Sequence, residues 1–257
     1  MLLIPALFAG AIIGMVLGLV GGGGSILAVP LLIYLVGVRS PHAAIGTAAV
    51  AVAINALAGL LGHARANNVK WPCALVFAAS GAAGAALGAV GGRATDGQRL
   101  LTLFGVLMIG VGAAMARRRQ GEGEPLVHLD RDSAARLLPR LIPVGFAVGL
   151  LAGFFGIGGG FLIVPGLMLA TAMPLRVAIG TSLVAVTALG ATTAISYALA
   201  GQVDWWLVAE LIAGGALGSI FGVAIGKRMS GHRRVMELGF AAIVVAVGLY
   251  VTRRGLP

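Results

Sequence analysis

Long apolar runs separated by short polar stretches make up nearly the whole chain. In its first half the runs are residues 2–20, 43–61, 72–90 and 100–116. In its second half they are an apolar run from Leu141 to Phe155, then 177–200, 205–225 and 235–252. Most of them approach the roughly 20 residues a helix needs to cross about 30 Å of hydrocarbon. The stretches between them are short and polar, such as Arg39-Ser40-Pro41-His42, 63–71 with Asn67, Asn68 and an interfacial Trp71, and 91–99. The one sizeable polar segment, 120–140, holds Glu122, Glu124, Asp130 and Asp132 among several arginines. The pattern predicts an all-α integral membrane protein with a first membrane repeat over 1–119, a cytoplasmic linker over 120–140 and a second membrane repeat over 141–257.

Two interruptions break this pattern. Gly21, Gly22, Gly23, Gly24 and Ser25 precede a short apolar stretch ending at Val36, and Gly156, Gly158, Gly159 and Gly160 precede another at 161–172. Each glycine costs a helix roughly 1 kcal/mol against alanine. Pro30 and Pro165 then remove an N–H a little further on. A break in lipid leaves backbone groups without partners, which is tolerable only inside protein or beside a wet cavity. Short helices starting near Ser25 and Phe161 would offer free N–H groups and the positive end of a helix dipole to an anion. The plainer alternative is that the glycines only let helices cross closely.

The two halves repeat. At an offset of 135, Gly21, Gly23, Gly24, Leu27, Val29 and Pro30 fall on Gly156, Gly158, Gly159, Leu162, Val164 and Pro165. At 134, Ala44-Ile45-Gly46-Thr47 falls on Ala178-Ile179-Gly180-Thr181, Trp71 on Trp205, and Gly81, Gly84 and Gly88 on Gly215, Gly218 and Gly222. Internal duplication is characteristic of transporters. If each broken run crosses once, the 18 Lys and Arg split 8 to 10 between the two faces. If each broken run returns to the face it came from, they split 13 to 5. The positive-inside rule favours the second arrangement. That predicts two inverted repeats, each a Gly-broken helical hairpin followed by three transmembrane helices, with the linker cytoplasmic, both termini outside and the breaks near the midplane.

Composition sharpens the class. The chain is 59% hydrophobic and only 10% charged, against about 25% charged for soluble domains. Its net charge of +10 sits at segment ends, as cytoplasmic loops require, and does not indicate nucleic acid. One cysteine, Cys73, excludes an internal disulfide and a multi-cysteine metal site. The first 38 residues have no Lys or Arg, so a cleavable signal peptide is not expected. No hydrolase, zinc or intramembrane-protease motif is present, so neither an enzyme nor a cofactor is expected.

Candidate binding residues outside the breaks are few. Thr47, and Thr181 with Ser182, occupy matched positions and could complete an anion shell, or bond back to their own helices. Asn55 lies within a span, where an amide needs a partner, and its repeat counterpart is Leu189. Glu210, a few residues inside a span, is a candidate for proton coupling, with a solvated helix end as the alternative. Glu237 follows Arg233 by four residues and reads as a helix-surface ion pair. His42 and Arg176 occupy matched places just before the Gly-Thr pairs and could attract an anion to the entrance, with loop solvation as the alternative, and His63 and Tyr197 also match each other by position.

The doubled Gly-x-Gly-Gly-x5-Pro breaks at 21–30 and 156–165, the doubled Ile-Gly-Thr at 45–47 and 179–181, the length and the polar mid-linker resemble the TauE/SafE sulfite exporter family, also called the 4-toluene sulfonate uptake permeases. The resemblance covers essentially the whole chain. It implies a carrier for small sulfur-containing anions, sulfite or organosulfonates, exporting from the cytoplasm; with the inverted halves this reads as a plasma-membrane secondary carrier working by alternating access, as a monomer or a homodimer. The rivals are a passive anion channel of the same fold and a membrane scaffold that moves nothing.

Overall fold

The computed structural model describes residues 3–20, 22–65, 67–117, 131–156, 160–173, 175–228 and 233–255. Among these, every regular element is helical. α1 spans Leu3–Val20 and is followed by a compound return: a 3₁₀ helix Gly22–Leu27, one α turn, α2 (Ala28–Leu31), and a π turn Leu32–Val36. Then come α3 (Pro41–Arg65), α4 (Trp71–Ala94), α5 (Gly97–Arg117), α6 (Arg131–Phe155), α7 (Gly160–Thr171), α8 (Leu175–Leu199), α9 (Trp205–Arg228) and α10 (Arg233–Gly255). Six of these are long and apolar enough to cross a membrane: α3, α4, α5, α6, α8 and α9. The returns 25–36 and 160–171 are short apolar helices.

Two elements depart from the sequence reading. Gly22, Gly23 and Gly24 were expected to leave helical structure, yet they form 3₁₀ turns. A 3₁₀ helix suits short pieces with small side chains, and here it lets the chain turn while keeping most backbone bonds. The return ends in a π turn closed by Gly37 at φ 85°, whose N–H donates to the Leu32 carbonyl, and the Val38 N–H donates to the same oxygen at 3.0 Å. The second departure is α6. It starts at Arg131, ten residues before the apolar run, and takes in half of the expected linker. Hydropathy sees only the part of a helix inside lipid. Pro139 and Pro143 stay inside the helix.

Small residues bring backbones together. A Cβ at Gly14 would run into the Gly215 carbonyl, and Cβ atoms at Gly218 and Gly222 would run into the carbonyls of Ala11 and Met15. So α1 packs along α9, in the same direction. α6 packs along α4 in the matching way, Gly149 on Gly81, Gly84 on Phe146 and Gly88 on Leu150. Each of these contacts reproduces one of the α1–α9 contacts at the repeat offsets. The entering helix of each half therefore packs on the other half. Close approach of this kind replaces the hydrophobic drive that lipid cannot supply.

α3 and α8 run antiparallel at the centre. Gly46 meets Tyr197 and Gln202, Gly190 meets Ala53, Gly59 meets Leu183, and Gly180 meets His63 and Asn68. This pair has a Trp205 end and a Trp71 end. α5 and α10 pair antiparallel through Gly105, Gly112 and Gly248, with Thr252 and Val245 opposite. They dock on the rest through Tyr250 on Tyr34, ring centroids 5.1 Å apart, and Phe104 on Phe155 at 5.8 Å.

Candidate functional site

The second glycine break turns at Gly156, with φ 64°, a left-handed conformation that favours glycine. Its N–H donates to the Gly153 carbonyl at 3.1 Å. A Cβ here would strike Ile45, in the second turn of α3. So α6 carries the chain to the Trp205 end, and α7 carries it back along α6, with Gly166 against Val148 and Val144, to the Trp71 end where α8 begins. The turn lies near one end of α3 rather than at its middle, which displaces this break from the expected midplane. Gly158 and Gly159 lie outside the described residues. Gly160 is buried and opens α7, one residue before the expected start at Phe161, and Pro165 sits within that helix.

In the first half, Gly21 lies outside the described residues. Gly22–Gly24 and Ser25 belong to the 3₁₀ helix, Ser25 is fully buried, and Pro30 is buried in α2. The 3₁₀ helix packs against α1, α7 and α8. The return thus reaches the other half's own return.

The Gly-Thr pairs have a role that their spacing within one half conceals. The oxygen of Thr47 accepts from the backbone N–H of Asp204 at 3.0 Å, and that of Thr181 accepts from the N–H of Lys70 at 3.1 Å. The two bonds are related by the offset of 134 at both ends. The preceding glycines let the same loops close in, Gly46 on the Gln202 carbonyl and Gly180 on the Asn68 carbonyl. Each Ile-Gly-Thr is therefore a clasp holding the other half's loop before its tryptophan helix. A hydroxyl that accepts still has its own hydrogen to give. Ser182 does what the plainer alternative foresaw and donates to the Ile179 carbonyl of its own helix at 2.7 Å.

The structure does not bring Thr47 and Thr181 into one shell. From Gly46 to His63, which faces Gly180, α3 rises about 25 Å at 1.5 Å per residue. The expected single cradle is thus divided into one Gly-Thr station near each end of the α3–α8 pair. What is brought together is the glycine turn of one half and the Ile-Gly-Thr of the other, Gly156 against Ile45.

Asn55 is 8% exposed and lies over Gly215, while its counterpart Leu189 lies over Gly81. The two equivalent contacts differ in chemistry, amide in one and leucine in the other. Glu210 is half-buried in the second turn of α9. The side chains of Arg176, Arg233 and Glu237 lie outside the described residues. Among the described residues, no three His, Cys, Asp or Glu group as metal ligands.

Sequence reasoning named His42 and Tyr197 separately and missed their meeting with Arg93 at the Trp205 end. Tyr197 is fully buried, His42 stacks on it at 6.4 Å and the Arg93 guanidinium lies 6.0 Å from its ring centroid. The offset of 134 carried the signal, because it relates His42 to Arg176, His63 to Tyr197 and Arg93 to Lys227.

Residues 6–251 match the family model described as Sulfite exporter TauE/SafE. A "Probable membrane transporter protein" of Xylella fastidiosa (strain Temecula1) is 46% identical over 98% of this chain and 95% of its own length. "Probable membrane transporter protein YunE" of Bacillus subtilis is 28% identical, over 93% of this chain and 94% of its own. A "Probable membrane transporter protein" of Methanocaldococcus jannaschii is 30% identical over 74% and 71%. No solved structure matches the chain.

Proposed function

We propose a cargo and a cycle for this chain, which belongs to the TauE/SafE sulfite exporter family and is a multi-pass membrane transporter rather than an enzyme. The cargo is a small sulfur-containing anion, sulfite or an organosulfonate, moved out of the cytoplasm across the plasma membrane. The observation that carries this reading is the turn at Gly156. It sets the glycine turn of one half against Ile45 of the other half's Ile-Gly-Thr, four residues before the buried start of α7 at Gly160. Free N–H groups at a helix start suit an anion without a fixed cation, and Thr47 follows Ile45 by two residues on α3. Gly22–Ser25 with Thr181 and Ser182 form the corresponding station of the other half.

The halves are inverted repeats in this reading. Two facts support it: the contacts between halves obey the sequence offsets, and the helix directions put the ends of α3, α5 and α9 and the starts of α4, α6, α8 and α10 on the Trp71 side, the segment ends near which 13 of the 18 Lys and Arg fall by sequence. By the positive-inside rule that end is cytoplasmic. The stations then lie one towards each face. Rocking of the exchanged helices α1 and α6 opens them in turn, and Asn55 marks the half in which the swap of amide for leucine makes the cycle asymmetric. Without a nucleotide motif the drive is an ion gradient or the membrane potential, worth about 2.3 kcal/mol per charge per 100 mV, with Glu210 as the proton-coupling group.

The test is sulfite flux in proteoliposomes. Uptake that saturates with sulfite and is accelerated by sulfite on the far side supports a carrier. Flux linear in concentration without counter-exchange makes it a channel. Protein that moves none of sulfite, an organosulfonate or thiosulfate overturns the reading in favour of a scaffold.

A further inference from the structure

Near the Trp205 end, His42 Nδ1, Thr193 Oγ1, Tyr197 Oη and Gln202 Oε1 are buried with no hydrogen-bond partner. Thr193 and Tyr197 are one turn apart on the same face of α8, and both are fully buried. His42 stacks on Tyr197, and the Gln202 N–H donates to the Tyr197 carbonyl at 3.0 Å. Native structures leave few such atoms, because a buried polar group without a partner has lost its water for nothing in return. A group of them asks for an occupant.

The charge says which kind. Arg93 lies over the Tyr197 ring and donates to the Ser196 carbonyl. That uses one of its five donors. The two nearby carboxylates are exposed and committed to helix starts: Asp96 accepts from the Gln98 and Arg99 N–H groups, and Asp204 from that of Leu207. A phenol hydroxyl, an imidazole and a guanidinium gather at the buried Tyr197, with the Thr193 hydroxyl one turn earlier on α8 and the Gln202 carbonyl oxygen as the one acceptor among the unpartnered atoms, a set in which donors outnumber acceptors and which a cation would not choose. The way in is short. A surface depression of about 450 Å³ is lined by Ala43 and residues 201–206, so Gln202 is a wall it shares with the cluster. On the inner side, Gly46 touches the Tyr197 Cβ while its neighbour Ile45 touches Gly156. The cluster and the glycine turn stand against adjacent residues of α3.

We propose that His42, Arg93, Thr193 and Tyr197 form a vestibule subsite that holds a small oxyanion between the depression at the Trp205 end and the glycine turn at Gly156. It rests on the anion-carrier reading and adds a site to it. At the repeat offset, the positions of His42, Arg93 and Tyr197 are taken by Arg176, Lys227 and His63, so the corresponding positions of the other half are also cationic by sequence.

The chain has three tryptophans, and Trp205 and Trp206 line the depression. In a Trp71→Phe background of the full-length protein in detergent, emission therefore reports on this end alone. Sulfite titration at constant ionic strength, balanced with chloride, should give a saturating change. Tyr197→Phe and Arg93→Gln should each raise the midpoint about tenfold, the usual worth of a hydrogen bond to a charged group. Arg93→Lys should recover part of it. Unfolding midpoints without sulfite check that each variant is folded, and their rise with sulfite is a second readout. Midpoints of folded variants within twofold of the parent mean that the cluster holds only water, and overturn the subsite. Absence of any sulfite response in both emission and unfolding overturns it too. Parent protein that carries sulfite in vesicles while the variants bind it unchanged sinks the subsite alone. Parent protein that carries no anion sinks the carrier reading.

Discussion

Thr47 and Thr181 show how much one hydroxyl can decide. Each accepts the N–H of a loop from the other half, and each sits behind a glycine that lets the loop approach. Thr47→Val or Thr181→Val keeps the shape and strands that N–H, at a cost of about 1 kcal/mol. Because the two contacts are equivalent, the two losses should be equal within error, and serine at either position should retain most of the stability. Chemical unfolding in detergent measures this. Valine variants as stable as the parent would remove the clasp from the account. Gly156 makes the sharper case. Alanine there meets both the left-handed backbone, roughly 1–2 kcal/mol, and the Ile45 side chain. Gly156→Ala should lower the unfolding midpoint and sulfite flux together. Adding Ile45→Ala should recover the steric part and leave the backbone part. Full recovery would mean that the φ value costs nothing.

At the scale of elements, the breaks were legible and their partners were not. Four glycines followed by a proline mark an interruption wherever they occur, because helix propensity is local. The 3₁₀ form of Gly22–Leu27 was not legible, since the same glycines fit several tight turns. Nor was the early start of α6 at Arg131, since ten polar residues ahead of a span read as loop by hydropathy. The exchange of α1 onto α9 and α6 onto α4 depends on glycine-to-carbonyl contacts between distant segments. It makes a paired prediction: Gly14→Val and Gly149→Val drive a side chain into Gly215 and Gly81 respectively, so both should abolish monodisperse protein by size-exclusion chromatography. Gly110→Val, whose Cβ meets nothing within 4 Å, should not. Survival of Gly14→Val as well-folded protein would contradict the close crossing.

For the whole molecule, the decisive claim is which ends lie on which face. In a Cys73→Ser background, Thr95→Cys and Gly201→Cys should be labelled by an impermeant maleimide from outside the cell. Asn67→Cys should be labelled only after permeabilisation. The first two positions flank the Trp205 end and the third the Trp71 end. Labelling of Thr95→Cys and Gly201→Cys from opposite sides would rule out returning hairpins and, with them, inverted halves.

Membrane class, the position of most spans, the duplication and the two interruptions were determined by the sequence alone. Each follows from hydropathy or backbone preference summed over neighbouring residues. Only the tertiary structure decided that the turn at Gly156 meets Ile45 of the opposite half, that the two Gly-Thr stations stand about 25 Å apart, and that His42 and Arg93 lie against the ring of the buried Tyr197. Those meetings join residues that local pattern treats as independent. They exist because small residues let specific helices approach closely enough to fix one arrangement among the many that the apolar runs would allow.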